Sequence, residues 1–294
     1  MKKIFLLSAF FIGIVSMNAQ DDSATDEPKQ GWSKSGNISF LFNQSSFNNW
    51  TAGGINNISG TLGLNYDFNY VKGDLVWDNK LIASYGVTKI EGSEKQKTDD
   101  RLEFNSLVGK KASGYWFYSA FLNFKTQMDS GFDNETGEKT THFFSPAYLQ
   151  FGPGMLWKKS DNLKVNIAPA TAKMIFVHDE FTAIPAALAS AFNEAGGYFG
   201  VEANETFRFE LGFALGAYYK LKLMENVSME NILNLYSNYL EDPQNVDIDY
   251  TMNLVMSINK YLSANLAFQA IYDDNAFKGF QTREVFGLGI NYGF

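Results

Sequence analysis

The sequence predicts an all-β fold: a transmembrane antiparallel up-and-down barrel of about twelve strands, with short turns on one side and longer loops on the other. Three observations predict it. Period-two alternation of apolar and polar residues runs through most of the chain from Gly36 onward. Most alternating runs span ten residues or more, where soluble strands average five or six and a tilted strand crossing a bilayer needs about 9–11. Tight and long connections then alternate strictly along the chain, as they do when one end of a barrel carries turns and the other carries loops.

The first nineteen residues stand outside the fold. Lys2 and Lys3 form a positive start, residues 4–15 are apolar, and the small Ala19 precedes Gln20, Asp21 and Asp22. This is the pattern of a secretory signal peptide removed after Ala19, too short to be a membrane helix. Residues 20–35 are polar, contain Pro28 and lack an apolar period, so they read as a flexible periplasmic leader. The barrel domain is then 36–294.

Twelve runs follow the strand template, at 36–43, 58–70, 74–87, 101–110, 115–126, 147–158, 163–177, 205–221, 227–239, 246–259, 262–273 and 282–294. The run 58–70 is the clearest. Ile58, Leu62, Leu64, Tyr66, Phe68 and Tyr70 share one face, and Ser59, Thr61, Asn65, Asp67 and Asn69 share the other. The tight connections are 72–73, 111–114, 160–162, 224–226 and 260–261, and the long ones are 44–57, 88–100, 127–146, 178–204, 240–245 and 274–281. An even strand number puts both ends of the barrel domain on the short-turn, periplasmic side.

Aromatic residues make up 16% of the chain, and their positions fit two interfacial girdles. Tyr70, Trp77, Tyr115, Trp116, Trp157, Tyr219, Tyr292 and Phe294 fall near the short turns or the chain end. Phe42, Tyr85, Phe176, Phe207, Tyr239 and Tyr272 fall near the opposite ends. The alternative is that these rings form the core of a soluble sandwich, which strand length and turn asymmetry oppose.

Composition narrows the chemistry. The chain has no Cys, which excludes disulfides, thiolate metal centres and cysteine nucleophiles. The formal net charge is −8 and grows more negative once Lys2 and Lys3 leave, so nucleic acid is not an expected partner. No cofactor and no metal site is expected. The expected partners are outer-membrane lipid and lipopolysaccharide, the barrel-insertion machinery, and an outer-membrane protein companion.

The terminal run Phe286-Gly287-Leu288-Gly289-Ile290-Asn291-Tyr292-Gly293-Phe294 resembles the last strand of bacterial outer-membrane barrels, in which a C-terminal aromatic serves as the insertion signal. By that likeness Tyr292 and Phe294 carry the signal here. Phe47-Asn48-Asn49-Trp50-Thr51-Ala52-Gly53-Gly54, residues 77–86 and residues 99–127 resemble an uncharacterised Bacteroidota outer-membrane family, the domain of unknown function 3078. The resemblance extends over the mature chain and is strongest before Asp133. It implies an integral outer-membrane barrel and no assigned activity.

Several features are candidates for function. The wet faces carry Asp67, Asp78, Lys80, Arg101, Glu103, Arg208, Glu210, Lys220, Glu230, Asp247 and Asp249, which either pair into a filled lumen or line a narrow channel for small solutes. Trp50, Gly53 and Gly54 mark an outer-loop motif that either anchors a partner or folds the first loop back into the barrel mouth. Residues 182–195, with Pro185 early and Gly196-Gly197 behind, suit a short helix whose alanines pack closely against something. The acidic loop clusters Asp129, Asp133, Glu135 and Glu138, and Asp273-Asp274-Asn275, either bind divalent ions or are simply solvated. His142 and His178 both lie in loops. His178-Asp179-Glu180 could supply a base and its orienting carboxylate to a lipid-directed hydrolase, but no Gly-x-Ser-x-Gly elbow accompanies it, so no catalytic residue is assigned. The functional expectation is a non-enzymatic structural or accessory component of an outer-membrane assembly, with the channel second and the hydrolase third.

Overall fold

The computed structural model describes residues 30–48, 54–133 and 136–293. Its strands are β1 (Gly31–Ser45), β2 (Asn57–Lys72), β3 (Leu75–Ile90), β4 (Lys95–Ser113), β5 (Trp116–Thr126), β6 (Gly131–Phe132), β7 (Lys139–Thr141), β8 (Ala147–Ser160), β9 (Leu163–Phe176), β10 (Phe207–Met224), β11 (Val227–Asn238), β12 (Asp247–Ser257), β13 (Leu262–Asp273) and β14 (Phe277–Gly293). Twelve of them close into one antiparallel barrel, each pairing with its neighbour in the chain, and β1 meets β14 to complete the ring. The short β6 and β7 pair with each other in the loop between β5 and β8. The closing junction runs from Asn37 opposite Gly293 to Phe42 opposite Leu288. Among the described residues no helix is long and apolar enough to cross a membrane, so any crossing is made by strands.

The outside of the barrel carries the exposed apolar side chains, the reverse of a water-soluble protein. Phe40, Leu62, Phe286, Leu288 and Ile290 are all about half exposed or more on that face. A ring of aromatics lies at the short-turn end. Trp32 packs on Tyr70 and Trp77 with ring centres 5.1 and 5.7 Å apart, and Tyr115 meets Trp157 edge-on at 6.4 Å. At the loop end Phe176 packs on Phe207 at 5.3 Å, and Tyr272 on Phe280 at 5.4 Å.

Turn asymmetry holds. The hairpin joining β2 to β3 is Gly73-Asp74 and that joining β4 to β5 is Gly114-Tyr115, with both glycines at φ +55°, a left-handed conformation that side chains disfavour. The two longest connections, 127–146 and 177–206, both rise at the other end.

The largest differences from the sequence reading are at the starts of three strands. β1 begins at Gly31, so residues 31–35 of the expected leader are strand, paired with Asp67 to Val71 of β2. Their polar composition hides a strand whose one apolar outward side chain, Trp32, joins the aromatic ring. β4 begins at Lys95 and β14 at Phe277, which shortens the expected loops 88–100 and 274–281 to 91–94 and 274–276. Past the apolar belt the outward face is polar too, and a bulge at Thr98 shifts the register against β3, so Gln96 to Asp100 lose the alternation.

β9 contains a bulge. Between the pairs Phe151 with Ala172 and Met155 with Ile167, β9 carries one residue more than β8, at the segment holding Pro169. Up to Ala168 the even-numbered residues of β9 face inward; from Thr171 the odd ones do. Gly152 of β8 accommodates the bulge, since a Cβ there would stand 2.5 Å from the Ala170 carbonyl oxygen. The bulge swings Lys173 into the lumen.

Candidate functional site

Inward-facing side chains bring both charge signs into a narrow lumen, and they pair across it. Lys80 on β3 reaches Glu230 on β11 at 2.9 Å and Asp67 at 3.6 Å. β3 and β11 stand opposite one another in the ring of strands, so this bond spans the lumen. Lys125 on β5 reaches Asp249 on β12 at 2.6 Å, again across the interior. Arg101 bonds to Glu103, whose other carboxylate oxygen accepts from Asn105 at 2.7 Å. Gln269 donates to Asp249 at 2.8 Å and Tyr218 to Glu230 at 2.9 Å.

Nearer the loops, Lys173 is the centre of a second group. It stands 2.8 Å from Asp247, 3.4 Å from Glu210 and 3.8 Å from Asp273, with the Tyr236 ring 4.9 Å below. Arg208 bonds to Glu210 at 2.8 Å, and Arg283 on β14 bonds to Asp99 on β4. Toward the short turns Lys158 and Lys164 hold Asp78 at 3.1 and 2.8 Å. Ten of the eleven residues expected on the polar lumen face lie in ion pairs; Lys220 stands exposed at the lower rim.

The pairs divide the interior into two chambers. One of about 400 Å³ lies toward the short turns, lined by Asp67, Asn69, Lys80, Asn105, Asn123, Lys164 and Tyr218. The other, about 350 Å³, lies toward the loops, lined by Asp99, Arg101, Lys125, Tyr148, Gln269 and Arg283. Glu103, 4% exposed, lies between them, bonded to Arg101 of the upper chamber and Asn105 of the lower. Above the upper chamber the 177–206 loop folds inward: Val177 and Val201 are buried against Ile175, Tyr148 and Tyr198.

The partner cations and anions Asp99, Lys125, Lys158, Lys164, Lys173, Asp273 and Arg283 were not among the expected lumen residues. Lys125 and Arg283 follow the alternation of their strands and were legible there. Asp99 fell in a segment read as loop, and Lys173 is hidden by the bulge.

The outer loops hold the two histidines together, with ring centres 4.9 Å apart. Their hydrogen-bond partners are the Phe143 carbonyl for His142, and the Asp179 carboxylate and Glu180 N–H for His178. Among the described residues no serine or threonine hydroxyl is recorded as a partner of either ring. Lys139 binds Glu180 at 2.8 Å and holds its carboxyl below the usual range. Burial and the nearby Glu180 push the Tyr198 hydroxyl up to about 12.

Trp50, Gly53, Glu135 and Phe294 lie outside the described residues. Gly54 has φ +150°, and the Phe47 ring occupies the space a Cβ there would need. Tyr292 is exposed on the outer face of β14. The expected helix is α1 (Ala186–Glu194), with Pro185 at its N-cap, but none of its residues is buried, so the close packing expected of its alanines is not made among the described residues. In the acidic clusters, Asp129 accepts the Tyr85 hydroxyl at 2.7 Å, which holds its carboxyl low, and Asp133 caps Thr136 N–H at 2.7 Å. Asp247, Asp273 and Asp274 converge, with the Lys173 ammonium already beside the first two.

Residues 42–132 match the model of a family described as Protein of unknown function (DUF3078), the family the sequence resembles. The match ends one residue short of Asp133. No curated protein matches the chain. Among solved structures, the chain is similar to the COG4313 outer membrane channel from Pseudomonas putida F1, at 7% identity and TM-score 0.40, over 93% of this chain and 98% of that one. It is similar to the translocator domain of autotransporter NalP from Neisseria meningitidis at 8% identity and TM-score 0.36, over 92% and 90%. The outer membrane channel DcaP of Acinetobacter baumannii is similar at 10% identity and TM-score 0.34, over 90% and 97%. The architecture of this chain rests on its own strand pairing.

Proposed function

We propose that this protein is an integral outer-membrane barrel that is closed across its lumen at rest and acts as a non-enzymatic structural or accessory component rather than as an open pore. The observation that carries the reading is the Lys80–Glu230 bond, which crosses the full width of the interior and is flanked by Lys125–Asp249. Mixed charges that satisfy one another in this way fill the lumen at its narrow middle rather than line it. The outward apolar belt between two aromatic rings supports membrane insertion, with outer-membrane lipid and lipopolysaccharide as its surroundings and the insertion machinery as its route.

Two measurements test this. In planar bilayers the purified protein gives a flat current trace, and steady open steps from the unaltered protein would overturn the closed state. On the outer face Leu266 pairs between Leu254 and Phe286 in the middle of the apolar belt. Leu266→Arg therefore costs about 2–4 kcal/mol of folding stability in lipid vesicles, the scale for a cation at the bilayer midplane. A loss no larger than that of Asn265→Ala, on the opposite face, would remove the membrane reading.

The second reading, a narrow channel for small solutes, is favoured by the two chambers on either side of the paired belt. It requires the belt to part.

A further inference from the structure

We propose that His142 and His178 form a binding site for one late first-row divalent metal ion, such as Zn(II) or Cu(II), which ties the two longest outer loops together. Two imidazoles bound to one tetrahedral ion at about 2.0–2.1 Å stand with ring centres ~5 Å apart. The observed separation is 4.9 Å, with the ring planes tilted by 48°.

The second observation is which nitrogen each ring leaves bare. His142 Nδ1 lies 2.9 Å from the Phe143 carbonyl oxygen. A carbonyl only accepts, so Nδ1 carries the proton and Nε2 keeps its lone pair. His178 Nδ1 lies 3.0 Å from Asp179 Oδ1 and 3.2 Å from the Glu180 N–H. Nδ1 accepts the Glu180 N–H in this structure; an ion at Nε2 places the proton on Nδ1, where the Asp179 carboxylate 3.0 Å away accepts it and the Glu180 contact is given up. An imidazole whose Nδ1–H is held by a carbonyl or carboxylate is the arrangement that orients a metal ligand.

Both rings are mounted on fixed backbone. His142 and Ser145 exchange backbone hydrogen bonds at 2.9 Å, and the His178 N–H donates to Ser145 Oγ at 2.8 Å. Ser145, 1% exposed, thus sets the position of both histidines at once. Asp179 and Glu180 add negative charge beside them, and Glu180 is itself steered by Lys139. Water completes the coordination of an ion bound by two histidines. The same pair of loops is already joined by Tyr198, whose hydroxyl donates to the Thr140 carbonyl, so a metal would reinforce an existing contact rather than make a new one.

The test is titration of Zn(II) alone into the detergent-purified full barrel carrying a tag without histidine, followed by calorimetry. One ion binds per chain, and His142→Ala or His178→Ala abolishes it. Asp179→Ala weakens it about tenfold, the low end of the effect of removing the partner behind a bound imidazole. Asp274→Asn, in the lumen carboxylate group, leaves binding unchanged. Absence of binding to the unaltered protein, or unchanged binding in both histidine variants, overturns the proposal. Cu(II) paramagnetic resonance on the unaltered protein reads the ligands directly: hyperfine splitting from two imidazole nitrogens supports the site, and a spectrum of oxygen ligands alone overturns it.

Discussion

Removing both cross-lumen ion pairs by Lys80→Ala, Glu230→Ala, Lys125→Ala and Asp249→Ala together converts a silent barrel into a conducting one. The four substitutions delete two cations and two anions, so net charge is unchanged and any new current reports an opened path rather than a new field. Lys80–Glu230 bounds the lower chamber and Lys125–Asp249 the upper, and both bonds run between strands far apart in the ring. Their loss leaves Arg101–Glu103 as the main filling between the chambers. The variant with only one pair removed conducts less than the fourfold variant. Single-channel recording in planar bilayers decides it, with heat-modifiable gel migration confirming that each variant is folded. A folded fourfold variant that stays silent would transfer closure from the belt to the loop that buries Val201 over the upper chamber.

Much of this was legible in the chain because a membrane barrel writes its pattern in one dimension. Ile58 to Tyr70 alternates cleanly since each outward residue meets an apolar surround and each inward one meets polar partners, and β2 occupies that run with two residues to spare at its end. Legibility fails where one of those surroundings changes. Lys97 to Asp100 lie above the apolar belt, where both faces carry polar residues and a bulge at Thr98 breaks the period, so the strand reads as loop. Lys173 follows Leu163, Val165 and Ile167 at even spacing and reads as outward; only the extra residue around Pro169, visible in the pairing with β8, turns it inward. The contact between His142 and His178 could not be read at all. They are far apart in sequence and meet because β8 and β9 are neighbours and Ser145 bridges their loops. Strand alternation specifies which face a residue takes, whereas pairing across a lumen depends on closure and register, and neither is a local property.

Lys173→Met is the most damaging single substitution expected in the barrel. Lys173 is 3% exposed and its ammonium lies within reach of Asp247, Glu210 and Asp273, with the Tyr236 ring beneath it. Glu210, 1% exposed, keeps Arg208 as a partner, but Asp247 and Asp273 are left facing each other with no cation. Breaking a buried pair by removing one member costs about 3–5 kcal/mol, because an uncompensated charge stays in a poorly solvated place. Unfolding by urea in lipid vesicles should show a loss of that size. Lys222→Met, at an exposed position on the same barrel, should change stability by less than about 0.5 kcal/mol. Adding Asp247→Asn to Lys173→Met should recover part of the loss, since the coupling between neighbours in one network is not additive. A loss below about 1 kcal/mol, the value of a solvent-screened surface pair, would mean that water reaches this group and that the lumen near β9 is wetter than its packing implies.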